Sequence, residues 1–533
     1  MSVRNGLVLL LALSALLFLA ACGSSSNNSA APPPSGAFTN SNLNGTYVFS
    51  FSGTDAANGT FFAMAGTFAA NGSGGITAGS VDIVDPAYGV LLSQSLGTGS
   101  GYNITADGRG RGTLATSGAA GTIGIDFVLS SSSNGLIIRF DGNGTGSGTF
   151  ALQSSSIAQA ALGSYAFSLS GVDSSFVNPF SSVGNFTVGG SGTLNGLEDF
   201  NDNRNSTALT NLTLSGSVLL GAAGAAGTAT LSAAGSPYGT QFDVWPIDAT
   251  HLKLIQTDGL QITVGDAFTQ QTSISAGQLV YTMAGFDSSS LLLSAGGYLT
   301  YDGTSAIPGG LEDINDSGSV AQSLTVSGSL TTAGVGRYQL VLGGFYNGVN
   351  GATGTYTFAA YPSSSGILLL ETDGQGVSGG SAFLQTATTF ASGQGYGFNL
   401  TGANSGGEVD EIAEFTANTG GALSDGLIDE NDQGSLAFDQ KLGTNGTYTF
   451  DPGATGRGIF SYPATITTFN GTLNLAFYVA STSTVLFIDG DGGQVGVGLF
   501  QPQGSAASAA LTHTASHFAS LQAAARRARQ KKN

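Results

Sequence analysis

The chain carries one short pattern four times. Tyr47-Val48-Phe49-Ser50-Phe51-Ser52-Gly53 recurs as Tyr165-Ala166-Phe167-Ser168-Leu169-Ser170-Gly171 and, weakened, as Leu279-Val280-Tyr281-Thr282-Met283-Ala284-Gly285. The fourth copy is Tyr396-Gly397-Phe398-Asn399-Leu400-Thr401-Gly402. Counted from Tyr47, the spacings are 118, 114 and 117 residues. Large apolar side chains fall on alternate positions with mostly small or polar ones between, the period of a strand with one buried face. Three further markers come after each copy in the same order. The first is an aromatic ahead of a Gly-rich turn (Phe68, Phe186, Tyr298, Phe415). The second is an acidic stretch (Val81 to Asp85, Leu197 to Asp202, Leu311 to Asp316, Ile428 to Asp432). The third is an apolar run ending in Asp-Gly (at Asp141, Asp258, Asp373 and Asp491). Asp-Gly between strands favours a tight hairpin, because both residues tolerate positive φ. Each copy closes on a strand bearing Phe150, Phe268, Phe383 or Phe500. Four markers in fixed order at near-constant spacing identify a repeated module.

The second copy reads as eight short strands: 164–171, 183–188, 192–199, 209–220, 227–234, 240–245, 252–257 and 261–270. An antiparallel meander of eight can close into an up-and-down barrel and so remove its edges. A two-sheet β-sandwich is the alternative that the same alternation permits. In size and strand count the module is similar to the calycins (lipocalins and avidins). The Gly-x-Trp strand signature of lipocalins is missing, and Tyr and Phe stand where its Trp would. The expected fold class is therefore all-β: four tandem antiparallel meander units of about eight strands each, barrel-like, at 41–155, 160–272, 275–388 and 391–503. An Ala-rich basic tail, 504–533, comes last, with an expected short C-terminal helix.

Charged residues make up 9% of the chain and hydrophobic ones 41%, with 84 Gly, 32 Phe and 16 Tyr. Such a chain can build cores and does not have the composition of a disordered one. All 33 acidic residues lie between Asp55 and Asp491, and only eight of the 14 basic residues share that body. An acidic surface repels phosphate backbones, so no nucleic acid is expected as a partner of the body. Cys22 is the single cysteine, which excludes an internal disulfide and a multi-thiolate metal site. The fold must rest on its hydrophobic cores, which units of this size can supply.

The first 21 residues have the proportions of a signal peptide: Arg4, then an apolar run from Leu7 to Ala20 that is too short for a comfortable membrane span. The run ends in Leu19-Ala20-Ala21-Cys22-Gly23. This resembles the lipobox of bacterial lipoproteins. The resemblance implies cleavage before Cys22, lipidation (a diacylglyceryl thioether with palmitate-type acyl chains) at its sulfur, and a membrane anchor. Several acyl chains anchor stably where one is marginal. Gly23 in place of an Asp implies transfer to the outer membrane, with the body on its periplasmic or extracellular face. Residues 22–40, with Pro32-Pro33-Pro34, read as a polar tether. The repeats also resemble uncharacterised Gly- and Ser-rich bacterial surface lipoproteins, a resemblance that implies no known activity.

The acidic marker is the first candidate for site chemistry. Asp313, Asn315, Ser317 and Gly318 match the first half of a calcium loop, and Asp429, Asn431, Gln433 and Gly434 do likewise. The bidentate Glu that should end such a loop is Leu324 or Gln440, and Arg204 stands in the second unit where Gly is needed. The expectation is an acidic turn that bonds its own backbone, with a calcium site at Asp313, Asn315, Ser317, Asp429 and Asn431 of low affinity at best. Glu198 with Asp199, and Glu312 with Asp313, are adjacent on strands and point to opposite faces, so neither pair can flank a glycosidic bond. Gly376-Val377-Ser378-Gly379-Gly380 matches a nucleophile-elbow pattern without its strand-to-helix context. His251 is expected to be partly exposed structure, and His513 and His517 lack a third metal ligand. Trp245, Tyr361 and Tyr478 occupy matching places and are expected in the core rather than at a ligand mouth.

No catalytic residues are expected, and no cofactor apart from that weak calcium site. The leading functional expectation is a non-catalytic envelope or cell-surface lipoprotein with a binding or structural role. Its partners would be the membrane, through the lipid, and a small ligand, glycan or surface protein. A carbohydrate-active enzyme or a calcium-dependent adhesin is the alternative. Hollow units would point to ligand carriage, and filled ones to an array that works through its outer faces. The basic cluster Arg526, Arg527, Arg529, Lys531 and Lys532 is either a solvated tail or a contact for anionic lipid.

Overall fold

A computed structural model describes residues 38–504 apart from 156, 177, 203–207, 347–352, 444 and 466–469. The chain divides into two parts, Met1–Pro32 and Pro33–Asn533. The first part, with the leader and Cys22, lies outside the described residues. So do Arg204 and everything beyond Gly504, including His513, His517 and the expected short helix.

Four antiparallel sheets succeed one another, with first and last strands at Asn44–Asp55 and Gly144–Leu152, Ser164–Val172 and Ile262–Thr269, Gly277–Asp287 and Gly376–Leu384, and Gln394–Asn404 and Gln494–Pro502. In every sheet the first strand pairs with the second on one side and with the last on the other. The second and third sheets close as eight-stranded barrels in simple sequential order. The meander barrel is thus the arrangement found, and the sandwich is not. In the first and fourth units the fourth strand of the meander is broken in two, as Gly89–Ser95 with Gly101–Ile104 and as Ser435–Lys441 with Thr447–Phe450. Each of these sheets therefore has nine strands and opens between the two pieces. Single bridges hold the seams, at Gly75–Gly101, Leu96–Thr116 and Ala422–Thr447. Turn-forming sequence causes the break: Gly99 and Gly443 take φ of 108° and 57°, which a continuing strand would not.

The rings fill the interiors. Tyr47, Phe49, Phe51, Phe68, Phe127 and Phe150 share the core of the first unit, and Phe398, Phe415, Phe487 and Phe500 that of the fourth. Several meet edge to face, as Phe127 and Phe150 do at 5.7 Å and 88°, the geometry that ring quadrupoles favour. Burying each such ring contributes about 1.5–3 kcal/mol. A cavity inside the second barrel, lined in part by Leu169, Phe180, Glu198 and Tyr238, measures about 10 Å³, room for about one water molecule.

The alternation in the opening strands predicts one buried face, and here the structure differs. The small face is buried too: Val48, Ser50 and Ser52 in the first unit and Ala166, Ser168 and Ser170 in the second are all nearly inaccessible. Small side chains let one barrel wall approach another. Gly296 shows how closely, since a Cβ there would lie 2.7 Å from Cε2 of Tyr478 in the fourth unit.

These contacts form a closed cycle. The early strands of each unit pack on the late strands of the next: first on second, second on third, third on fourth, and fourth on first. Ala166, Val183, Tyr361 and Leu368 make one such apolar joint. A central cluster draws on all four units, with Phe61, Val172, Phe286, Leu292, Ala403 and Val495 among its members.

Candidate functional site

The acidic marker lies on the third strand of each unit: Ile76–Asp85, Thr193–Asp202, Ala306–Asp316 and Leu423–Asp432. Register with the next strand slips at the matching residue in each, Asp82, Asp199, Asp313 and Asp429, and in the third unit a second time between Ile307 and Gly310. A β-bulge re-aims a side chain locally. Facing each bulge is a non-glycine residue in the left-handed region, with φ of 52° at Ser93, 57° at Asn211, 56° at Ser323 and 47° at Asp439. The backbone N–H of each donates to Oδ1 of the bulged Asp, at 2.8 Å in the first three. The aspartates are essentially inaccessible to solvent.

Each bulged carboxylate points out of its own barrel into the joint with the next. Arg337 donates from Nε and Nη2 to the two oxygens of Asp199, both at 2.8 Å, and the hydroxyl of Tyr361 donates to Oδ2. Arg457 grips Asp313 in the same bidentate way, at 2.6 and 2.7 Å, and Tyr478 donates to it as well. Arg109 and Arg111 donate to Asp429 at 2.6 and 2.7 Å, which joins the fourth unit back to the first. Arg457 is directly opposite Tyr478 on the neighbouring strand, and Arg109 opposite Val128. In the joint between the first and second units the aromatic is Trp245, whose Nε1–H donates to Asp82 at 2.8 Å. Among the described residues no arginine accompanies it: Ala226 immediately precedes the strand Gly227–Ala233, where the other units begin theirs with Arg. Lys253 supplies a cation nearby, bonding Ser50 and Thr149 of the first unit and Asp266 of its own.

Two residues beyond the bulge, an Asn repeats the theme in three units. The amide of Asn201 donates to the carbonyls of Glu371 and Gly376, that of Asn315 to Asp489, Asp491 and Gln494, and that of Asn431 to Arg139 and Gly144. Val84 takes this position in the first unit and joins the central cluster. Asp313, Asn315, Asp429 and Asn431, singled out as calcium ligands, therefore meet arginines, a tyrosine and backbone carbonyls across the joints. Ser317 turns its hydroxyl to the carbonyl of Leu292. Among the described residues no group of three His, Cys, Asp or Glu side chains is arranged to hold a metal ion.

Electrostatics divide the joints. Asp82 faces Asp243 of the second unit, and burial with this like charge pushes its carboxyl up to about 7. At the other end of the cycle, burial and the neighbouring Asp429 push Asp126 well up, against the pull of Arg111 and Arg109. Beside Thr145 of the first unit, Asp410 of the fourth is raised to about 7, again chiefly by burial. Glu198 and Asp199 do face opposite ways. Glu198 points into its barrel, where burial raises it to about 8.

The remaining candidates occupy ordinary structural places. Ser378 lies on the straight strand Gly376–Leu384 and donates to Glu371 at 2.7 Å. His251 is buried rather than partly exposed. It begins the strand His251–Gln256, stacks on Phe268 at 4.2 Å and bonds Asp266 at 2.7 Å, since the first unit covers that side of the strand. Trp245, Tyr361 and Tyr478 are fully buried, in the cores between units rather than within one.

No family model matches the chain, and no curated protein matches it. Among solved structures the chain is similar to a double mutant of the vaccine antigen transferrin binding protein B from Haemophilus parasuis Hp5, with 11% identity and a TM-score of 0.19. That likeness covers 71% of this chain and 82% of the other. It is also similar to intact Ap-TbpB with its N and C lobes, with 12% identity and a TM-score of 0.19, over 86% of this chain and 95% of the other.

Proposed function

We propose that the protein is a non-catalytic lipoprotein of the bacterial outer membrane, a four-unit β block that works through its outer faces and exposed turns. The observation that carries this reading is where the polar chemistry goes. Buried arginines, tyrosines and acids meet across the joints between units, and ring side chains occupy the interiors. That arrangement favours an array or adhesive scaffold over a ligand-carrying barrel. On this reading Asp313, Asn315, Ser317, Asp429 and Asn431 serve assembly and not calcium. Cys22 is the lipidated residue, and 23–37 the tether that holds the block on the periplasmic or extracellular side.

The anchor is tested by metabolic labelling with palmitate in cells that produce the full chain. Label is expected in the natural chain and lost in Cys22→Ala. Equal label in both would overturn the reading, as would release of the natural chain into the soluble fraction.

A further inference from the structure

The joint that closes the cycle, between the fourth unit and the first, holds a cleft. The short strand Gly101–Ile104, left by the break in the fourth strand, sets Asn103 directly opposite Arg111, so the two side chains share a face. Arg111 bonds Asp126 of its own unit at 3.2 Å and Asp429 of the fourth at 2.7 Å, and it reaches Asp439 at 3.1 Å. Arg109 is buried beside it, paired with Asp107, Asp429 and Asp439. Asn103, Thr105, Asp439 and both arginines line, in part, a cavity of about 100 Å³. That is room for a small ligand, where the second barrel has room for one water.

The joint between the third and fourth units is completed by a tyrosine, and this one is not. Val128 stands opposite Arg109 as Tyr478 stands opposite Arg457. It has no hydroxyl to offer, and Arg111 brings the additional donors to Asp429. These groups are open to solvent: 39% of the Arg111 side chain and 55% of that of Asp439 are exposed, against 5% for Arg109. Next to Asp439 is Phe438, 46% exposed. The guanidinium carbon of Arg111 is 4.8 Å from the centre of its ring, and Phe140 meets that ring edge to face at 4.9 Å. The ring is held from two directions and still presents surface to solvent.

An occupant must suit both signs of charge. An anion would meet Asp126, Asp429 and Asp439, and a cation would meet two guanidiniums, and like charges brought together are costly. Neutral hydroxyls, which both donate and accept, meet no such conflict. Asn103 offers an amide donor and acceptor, and Arg111 and Asp439 a charged donor and acceptor, which make the stronger hydrogen bonds. A pyranose ring adds to its hydroxyls an apolar C–H face that an exposed aromatic ring can cover.

We propose that this cleft binds one pyranose ring of a neutral glycan, with its C–H face on Phe438 and its hydroxyls on Asn103, Arg111 and Asp439. The proposal rests on the reading of a block that works through its outer faces, and it does not need the lipid at Cys22, so its failure would leave the palmitate test of the anchor untouched.

The test applies the full chain, purified in detergent, to an array of neutral hexose and N-acetylhexosamine oligosaccharides with sialylated and sulfated glycans beside them. The strongest neutral ligand is then titrated by calorimetry. Asn103→Ala and Phe438→Ala should each weaken its binding roughly tenfold or more. Tyr88→Ala removes an exposed ring from the turn after Asp85 of the same unit and should leave binding unchanged. Asn103 is exposed, so a loss of binding in its variant cannot be laid to misfolding. Binding that survives both cleft variants would place the sugar elsewhere and overturn the proposal. Retention of sialylated or sulfated glycans alone would mark an anion site and overturn it too, as would retention of no glycan at all.

Discussion

A single aspartate per unit, held at a bulge by one backbone N–H, anchors the polar part of each joint. Asp313 accepts a bidentate guanidinium and a phenol while buried, so its charge is paired and both oxygens are bonded. Removing one partner of such a pair leaves the other charged in a dry site, which typically costs about 3–5 kcal/mol. Asp313→Ala should therefore destabilise the protein by about that amount, read as a shift in the denaturant midpoint with an unchanged slope. A loss within experimental error would show that Arg457 finds water or another acid. At this scale the inward rings were legible, because the period of two marks them directly. The acidic residues and the matched Trp245, Tyr361 and Tyr478 were also visible as recurrences. Their partnership was not, because the bonded residues are 162, 163 and 165 positions apart, in different copies. A usable signal existed: among eight basic residues of the body, Arg109, Arg337 and Arg457 recur at one place in the repeat.

The third strand of each unit carries two surfaces, one into its own barrel and one into its neighbour. Sequence patterning read these strands as acidic, soluble turns, since adjacent carboxylates are rarely buried. They can be buried here because the outward one finds an arginine or indole and the inward one takes up a proton more readily. Asp82, Asp410 and Glu198 have folded values raised to about 7, 7 and 8 by burial, so the folded chain holds protons that the unfolded chain releases near pH 4. Stability from these groups is greatest below that point and falls as pH rises, until the folded values are passed. Asp266, lowered by Lys253 and His251 despite its burial, acts in the opposite sense, its stabilisation being lost in acid. The melting temperature is therefore predicted to decline from about pH 5 to pH 8, with a shallower decline in Glu198→Gln. Asp266 titrates below this window, and the raised carboxyls, Asp85 and Asp316 at about 6 among them, outnumber His251, whose value burial lowers and which acts the other way. A melting temperature that rises across that range would contradict the assignment. The break in the fourth strand of the outer two units was not foreseen, because the Gly-rich run that causes it also occurs in turns that merely connect strands.

For the whole molecule, four filled units, two closed barrels and two open nine-stranded sheets, turn apolar walls towards each other and make one cooperative body. Trp245, Ile255, Val264, Ala166 and Val183 of the second barrel are all covered by neighbouring units. Produced alone as residues 160–272, that barrel would expose two such walls, and it should aggregate or fail to give a monomer. The full chain should unfold in a single calorimetric transition. Four separable transitions, or a soluble monomeric second barrel, would show that the joints contribute little.

The joint is one surface used head to tail, each unit offering its bulged strand forward and an arginine, or in the second unit Trp245, backward. A contact of that kind either returns to its start or runs on without limit. Here it returns after four, so the number of copies in the gene is not free to drift. A duplication or loss of one module would leave an unsatisfied Asp at one end and an unsatisfied Arg at the other, and would convert a self-contained particle into a link that seeks further links.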